Sequence, residues 1–559
     1  MLKGLRALLG PAPNAANAVD FAAARYPDLP IFHLDAPLPY RGLDDGPITP
    51  RMLLAFINRI GNILLDAGMK RHDRVAIWKT NAPDYYFIAC AIIKAGGIAV
   101  PINGGMALDD LRYYLGHTGA KLLVTDAQTV AERIKSPAAL PMVQTWIFPK
   151  APAAFGAPHV NIDALLETAS AELRPTRLSR DSDIMIVHTS GTTGFPKGVL
   201  TSTSSILAGI RLQRAVAPLS RGARVVVVTP FNHVVTHLGL FTCLLLEMPV
   251  WLVSNFKAKD VLALIARTNA SIFAGFPDKY LALYEAGLDT HDLSSMRLWV
   301  NLADAAHDVH MRAFCRQGTM LRIFGRRVVR GSVFMDTLGS SELGGPALTR
   351  FIFPFSRSDL SRNVGRTSMF GPKMKIADED GRSVPRGTVG RFMVKGPTLF
   401  KGYWNAHEKL HGTVHDGWWW TGDLGYRDRA GRYHHVDREP DVIHTQHGPV
   451  YSLLIEEVCM AHPDVSEAAV IGLRHPERGE VPVAVVYPRT GHAIDPAACR
   501  AWVNERVTRC SMGLEQVLVV TPTDIPRGLT GKVLKRVLRE RHAGLFAAST
   551  SGALTATGP

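Results

Sequence analysis

The segment Ile186–Val199, IVHTSGTTGFPKGV, decides the reading of this chain. An apolar run ends at Thr189, and Ser190, Gly191, Thr192, Thr193 and Gly194 follow before Lys197. Glycine lets the backbone approach a ligand closely and adopt positive φ, so the clustered N–H and O–H donors can wrap the oxygens of a polyphosphate. Lys197 adds a mobile positive charge that follows such an anion. The spacing is not that of a Walker A loop: counted from Gly191, Pro196 stands where that loop needs Gly, and Gly198 where it needs Ser or Thr.

The 559 residues are enough for more than one domain, and 47% hydrophobic with 20% charged residues is ordinary for a soluble globular protein. The six cysteines (Cys90, Cys243, Cys315, Cys459, Cys499 and Cys510) are scattered, without a C-x-x-C pair. That argues against a disulfide framework or structural zinc and fits a reducing cytoplasm. MLKGLRALLG at the N-terminus is interrupted by Arg6 and reads as a short amphipathic lead-in, not a signal peptide. The apolar stretch Leu238–Val253 contains Glu247 and Pro249 and reads as a buried helix followed by a buried strand, so no transmembrane segment is expected. A net charge of +14 favours anionic ligands in general. With no aromatic-rich RNA motif or helix-turn-helix pattern, nucleic acid is not expected among the partners.

Around the loop, residues 50–127 alternate helix and strand in the manner of parallel βαβ units. Residues 136–158 are rich in Pro and Ala and read as surface loop. Strands are expected in RVVVVTP (224–230), at Ala270–Phe273, at Arg297–Asn301 and near Arg330–Met335. The character changes near Arg438, beyond which lies a compact α+β pattern ending in a basic helix. The expected division is 1–438, 439–546, and a disordered small, polar tail over 547–559.

Motifs spaced over nearly the whole chain resemble, in order, those of the adenylate-forming superfamily, which includes acyl-CoA synthetases, adenylation domains and luciferases. The loop from Thr189 to Lys197 resembles its phosphate-binding signature. Asp73-Arg74-Val75-Ala76, Asn81 and Val100-Pro101-Ile102-Asn103 are similar to its early signatures, and Pro230-Phe231-Asn232-His233 to a segment bordering the acyl pocket. Asp336-Thr337-Leu338-Gly339-Ser340-Ser341-Glu342 resembles its aromatic-Gly-x-Thr-Glu segment, with Leu338 in place of the aromatic that stacks on adenine. Thr421-Gly422-Asp423, then Asp428, Gly431 and Arg438, resemble its ribose-binding strand and hairpin. Pro526-Arg527-Gly528-Leu529-Thr530-Gly531-Lys532 resembles its late lysine loop.

The resemblance implies an α/β fold: a large N-terminal region of βαβ-layered sheets with a small, mobile α+β lid. It implies an ATP- and Mg²⁺-dependent ligase that joins a carboxylic acid to AMP, releases pyrophosphate, and passes the acyl group to coenzyme A. Thr189–Lys197, Thr193 included, would hold the β- and γ-phosphates, and Glu342 the metal. Ser341 would donate to the α-phosphate, Asp423 would accept the ribose hydroxyls, and Arg438 would contact ribose or phosphate. Asp304, Asp336, Thr337, Leu338 and Gly339 would border the nucleotide. Lys532 would meet the reacting carboxylate and α-phosphate, since a positioned ammonium offsets the repulsion between two anions. The acid pocket would be lined by His233, Thr236, Phe276, Asn301, Met335, Leu338 and Leu343, walls that admit an aromatic or medium-length aliphatic acid.

Three departures bear on the second step. Pro440 occupies the pivot where the family has Asp or Lys, and proline fixes φ near −65°. In HTQHGPVYSLLIEE, either His447 replaces the family's glycine or an insertion restores it as Gly448, while Leu454 stands in place of a Glu. Asn301-Leu302-Ala303-Asp304-Ala305 replaces a Gly-Gly-Ala segment, and Asp304 is placed either to bind the amino group of the base or to face solvent. These changes keep open an enzyme that stops at the adenylate, or that passes it to a carrier protein or a small amine.

Overall fold

The computed structural model describes residues 13–43, 46–134, 136–189, 195–207, 222–323, 326–367, 371–410, 412–508, 510–528 and 531–546. The expectations for Ser190, Gly191, Thr192, Thr193 and Gly194, for the N-terminal lead-in and for the tail 547–559 lie outside these residues.

Among the described residues, a seven-stranded sheet runs in the order 159–161, 145–148, 122–124, 74–78, 98–102, 183–189, 197–202. Its neighbours are parallel except the last pair, β1 (Asp183–Thr189) and β2 (Lys197–Ser202), which form the hairpin carrying the phosphate-loop sequence. The helices Asp84–Lys94 and Leu108–Thr118 supply the crossovers that parallel neighbours require. The Pro- and Ala-rich segment 136–158 is not all loop, as its composition led us to expect. Thr145–Phe148 forms a strand within it, with Trp146, Ile147 and Phe148 at most 1% exposed. Burying such large side chains is worth roughly 1.5–3 kcal/mol each, enough to override the flanking prolines.

A second seven-stranded sheet has the order 32–34, 250–252, 225–227, 272–275, 298–301, 333–340, 345–352. The apolar stretch read as helix then strand is α1 (Val234–Leu245) followed by the strand Val250–Leu252. Strands β3 (Leu298–Asn301) and β4 (Val333–Ser340) lie parallel and adjacent, and their C-terminal ends open on one side, where parallel sheets present ligands. A third, largely antiparallel sheet contains β5 (Trp418–Arg427) and β6 (Tyr433–Arg438), joined by a tight turn in which Asp428 accepts from the N–H and Nε of Arg432 at 2.8 and 2.7 Å.

This third sheet ends at Arg438, and a separate five-stranded sheet begins at Ile443. Helix α2 (Ser452–Ala461) packs on that last sheet, which forms the lid with the helices Pro496–Asn504 and Lys535–His542. Between the two regions, Pro440 sits exposed in a single 3-10 turn, Glu439–Asp441. In the following hairpin Thr445 pairs with Gly448, whose φ of 104° is the left-handed conformation that glycine supplies. The glycine-requiring position of this loop is therefore 448, not 447. No helix among the described residues is long and apolar enough to cross a membrane.

Candidate active site

A cavity of about 880 Å³ opens where the strand ends of the second sheet, the β5–β6 hairpin and the lid converge. Its wall includes Thr189, Lys197, His233, Phe276, Asp304, Leu338, Gly339, Ser341, Glu342, Asp423, Arg438 and Lys532. Residues separated by more than 300 positions thus face one space, and the lid contributes the last of them.

Opposed strand positions bring Asp423 and Arg438 together: they pair across β5 and β6, with Arg438 Nε 3.4 Å from Asp423 Oδ1. His435 Nε2 lies 3.5 Å from the same oxygen, longer than a good hydrogen bond. Neither ring nitrogen of His435 nor Nε of Arg438 has a hydrogen-bond partner among the described residues, although all three are buried. Such orphaned donors beside a carboxylate are a natural seat for a polar ligand such as a ribose or phosphate. Burial raises the Asp423 carboxyl, but His435, Arg438 and Lys532 more than reverse this and hold it below the usual carboxylate range.

The loop after β3 is braced from within. Asn301, fully buried, donates Nδ2 to Asp336 Oδ1 at 2.7 Å and to the Asp304 carbonyl at 2.6 Å. Thr337 Oγ1 donates to the Asn301 carbonyl, and the N–H of Ala306 donates to Asp336. These bonds hold Ala303 at φ 76°, a conformation that a non-glycine residue keeps only when its surroundings over-determine it. Asp336, 2% exposed and pushed by burial up to about 6, spends its carboxylate on these bonds and does not line the cavity, contrary to expectation. Asp304, at the loop's tip, turns its carboxylate to the lid: Lys532 Nζ is 2.8 Å from Oδ2.

Glu342 faces the cavity from the turn after β4, and Tyr403 Oη donates to its Oε1 at 3.1 Å. The Lys197 ammonium lies over the Tyr403 ring, 5.1 Å from its centroid, so one tyrosine joins the metal candidate to the phosphate candidate. A hard carboxylate oxygen on the same cavity wall as a lysine suits Mg²⁺, which takes one or two carboxylates plus phosphate oxygens.

A side cavity of about 50 Å³ branches off behind His233, walled by Val234, Val235, Leu238, Leu302, Gly344 and Pro346. His233 caps α1 and meets Phe276 edge to face at 5.2 Å. Burial pushes His233 and the neighbouring His188 down to about 4, so both are neutral at pH 7. Of the expected pocket residues, Thr236, Asn301, Met335 and Leu343 stand behind the wall. Thr236 spends its hydroxyl on Thr229 and the Pro230 carbonyl, and Met335 and Leu343 pack into hydrophobic clusters. His188, Tyr403, His435 and Arg362 face the cavity without having been singled out in the sequence; only the two consecutive histidines of β6, unusual inside a strand, gave a signal.

The model of the AMP-binding enzyme family matches residues 19–404, and that of the AMP-binding enzyme C-terminal domain matches 454–532. The chain belongs to the AMP-binding enzyme family. It is an adenylate-forming ligase of the acyl-CoA synthetase type. Among its relatives, a 3-aminoavenalumate diazotase from Streptomyces sp is 30% identical over 85% of this chain and 86% of that protein. A feruloyl-CoA synthase from Amycolatopsis sp is 28% identical over 87% of this chain and 92% of its own length. Among solved structures, ATP-bound MatB from Rhodopseudomonas palustris superposes with a TM-score of 0.77 at 25% identity, over 96% of this chain and all of that one. The anthranilate CoA ligase AuaEII with anthranoyl-AMP reaches a TM-score of 0.83 at 22% identity, over 97% and 99%, and speaks for the fold alone.

Proposed function

We propose that this AMP-binding enzyme activates a carboxylic acid as its adenylate and transfers the acyl group to coenzyme A. The observation that carries the reading is Lys532 of the lid standing in the same cavity as Glu342, Asp423 and Arg438. An acid oxygen attacks the α-phosphorus of ATP, a P–O bond forms, the bond to the β-phosphate oxygen breaks, and pyrophosphate leaves. Lys532 exchanges Asp304 for the anionic α-phosphate and reacting carboxylate, where a fixed positive charge lowers the barrier. Asp423 and Arg438 seat the ribose, and Glu342 with Lys197 stands at the phosphates. Magnesium held by Glu342 would supply further charge neutralisation there. In the second step a thiol attacks the acyl carbon and AMP leaves.

His233, Phe276 and Leu338, expected in the acid pocket, all line the large cavity of about 880 Å³, which has room for an aromatic as well as an aliphatic acid.

A second reading follows from the relative named a diazotase. To diazotise an aryl amine requires an electrophilic nitrogen. Nitrite has the bent O–N–O shape of a carboxylate, and its adenylate would be such an electrophile. The amine nitrogen attacks, AMP leaves, and the nitrosamine loses water after protonation to give the diazonium ion. Pro440 and Leu454, which differ from the pivot and the loop associated with coenzyme A transfer, fit an acceptor other than coenzyme A.

One experiment separates these. Purified protein is incubated with ATP, Mg²⁺ and acids graded by size, with and without coenzyme A, and in parallel with nitrite and an aryl amine. Mass spectrometry of an acyl-CoA product supports the first reading. A diazonium formed only with ATP supports the second, and an adenylate unaffected by any acceptor overturns both transfer steps.

A further inference from the structure

The lid is held to the body by a buried charge cluster away from the reacting atoms. Glu457 on α2 accepts from His307 Nδ1 at 2.8 Å and from Arg362 Nη1 at 3.1 Å through one carboxylate oxygen. Its other oxygen accepts from the backbone N–H of Asp308 at 2.8 Å. The Arg362 and Glu457 side chains are each 3% exposed. His307 and Arg362 belong to the body and Glu457 to the lid, so every one of these bonds crosses the boundary.

Two costs are built into this contact. Burying a charge pair is expensive unless its geometry and hydrogen bonding compensate. Arg362 also sits at φ 54°, a left-handed conformation that costs a non-glycine side chain strain. The cost of the buried charge is offset only while Glu457 is in place. Arg362 is in turn tied to the site: its carbonyl accepts from the N–H of His435 at 3.0 Å, and its side chain reaches the cavity wall. Leu454, one turn before Glu457, adds an apolar contact in the same pose, packing with Tyr426 and Val436 of the body.

We propose that Arg362 and Glu457, with His307, are positioning residues that hold the lid in the pose presenting Lys532 to the reaction centre. Among the described residues, the lid then has cross-boundary ion pairs of both polarities. Lid Lys532 on body Asp304 must open when the phosphate binds; lid Glu457 on body Arg362 is buried, with both side chains 3% exposed, and persists. It keeps the lid seated through adenylation and opposes its departure afterwards. The proposal rests on the reading of Lys532 given above.

The test uses Arg362→Gly, Glu457→Gln, the double variant and Lys532→Ala in the full-length protein. Arg362→Gly removes the charge while relaxing the backbone, so the fold is retained. Pyrophosphate release is measured with the acid identified by the screen, and transfer is followed separately in single turnover from preformed adenylate. Each single clasp variant is expected to lower kcat for pyrophosphate release 10- to 100-fold with less than threefold change in KM for ATP, while transfer from preformed adenylate is retained or faster. The double variant is expected to be no worse than the poorer single one, because the two residues act as one pair. Additive losses, or Arg362→Gly equal to the wild type while Lys532→Ala is impaired, overturn the clasp and leave the lysine's role standing. Unimpaired pyrophosphate release in Lys532→Ala overturns the lysine's role, and the clasp falls with it.

Discussion

Lys532 Nζ and Asp304 Oδ2, from lid and body, lie 2.8 Å apart at the mouth of the nucleotide cavity, with side chains 50% and 33% exposed. Burial raises the Asp304 carboxyl, but Lys532, His435 and Arg362 outweigh it and hold the group well below the usual carboxylate range. Asp304 is therefore ionised at neutral pH and, on the function proposed above, parks the lysine where the phosphate would arrive. Solvent screening keeps such a pair weak, about 0–1 kcal/mol, so it can be exchanged for a phosphate.

Removing the competitor should help ATP to bind. Asp304→Asn is expected to lower KM for ATP about two- to fivefold, the size of a weak exposed pair, with kcat changed less than threefold. Steady-state pyrophosphate release checks this. If Asp304 instead binds the amino group of the base, the same variant raises KM for ATP, and the parking role is lost.

Glu342→Gln keeps the hydrogen bond from Tyr403 but gives up the charge. Mg²⁺ prefers carboxylate oxygen, so the Mg²⁺ concentration for half-maximal activity should rise about tenfold, with activity largely restored at saturating metal. A titration that shows a lower ceiling with an unmoved midpoint would remove Glu342 as the ligand.

Acid should destabilise the body through its buried imidazoles. His237, 1% exposed on α1, is pushed by burial from 6.5 down to about 4. Between those values the unfolded chain binds the proton and the native state does not, so stability falls as pH falls through that window, by about 3 kcal/mol per such group at its lower end. His188 and His233 add to the same trend. Thermal melts from pH 7 to 4.5 should show Tm declining, and His237→Phe, which keeps a ring against Tyr86 without titrating, should flatten the slope. An unchanged slope in that variant counts against this assignment.

The strands were legible wherever β-branched runs were continuous, as at Val225–Val227 and Leu298–Asn301, because full burial leaves a composition signal. Thr145–Phe148 was hidden because only four residues carry the signal amid Pro and Ala. Ordered motifs named Glu342, Asp423, Arg438 and Lys532, and these share one cavity. What local sequence cannot convey is which way a side chain turns. Asp336 and Asn301 lie in motif segments yet point into the protein and brace the loop, whereas Arg362 and Glu457, 95 positions apart, meet only because the lid docks.

Pro440 carries the last prediction. It is exposed in the 3-10 turn Glu439–Asp441, between the end of β6 and the first lid strand, where a rotating lid would need backbone freedom. Proline restricts φ to about −65 ± 15°, so rotation must use ψ or neighbouring residues. The flanking ion pairs Arg391–Glu439 and Arg539–Asp441, at 3.2 and 2.9 Å, restrain those neighbours as well. Pro440→Asp is expected to leave pyrophosphate release within about twofold, since the pose that performs it is already formed, and to raise the rate of thioester formation several-fold. Stopped reactions with and without coenzyme A measure both steps in one preparation. Equal thioester rates in variant and wild type would show that φ of residue 440 does not limit the lid.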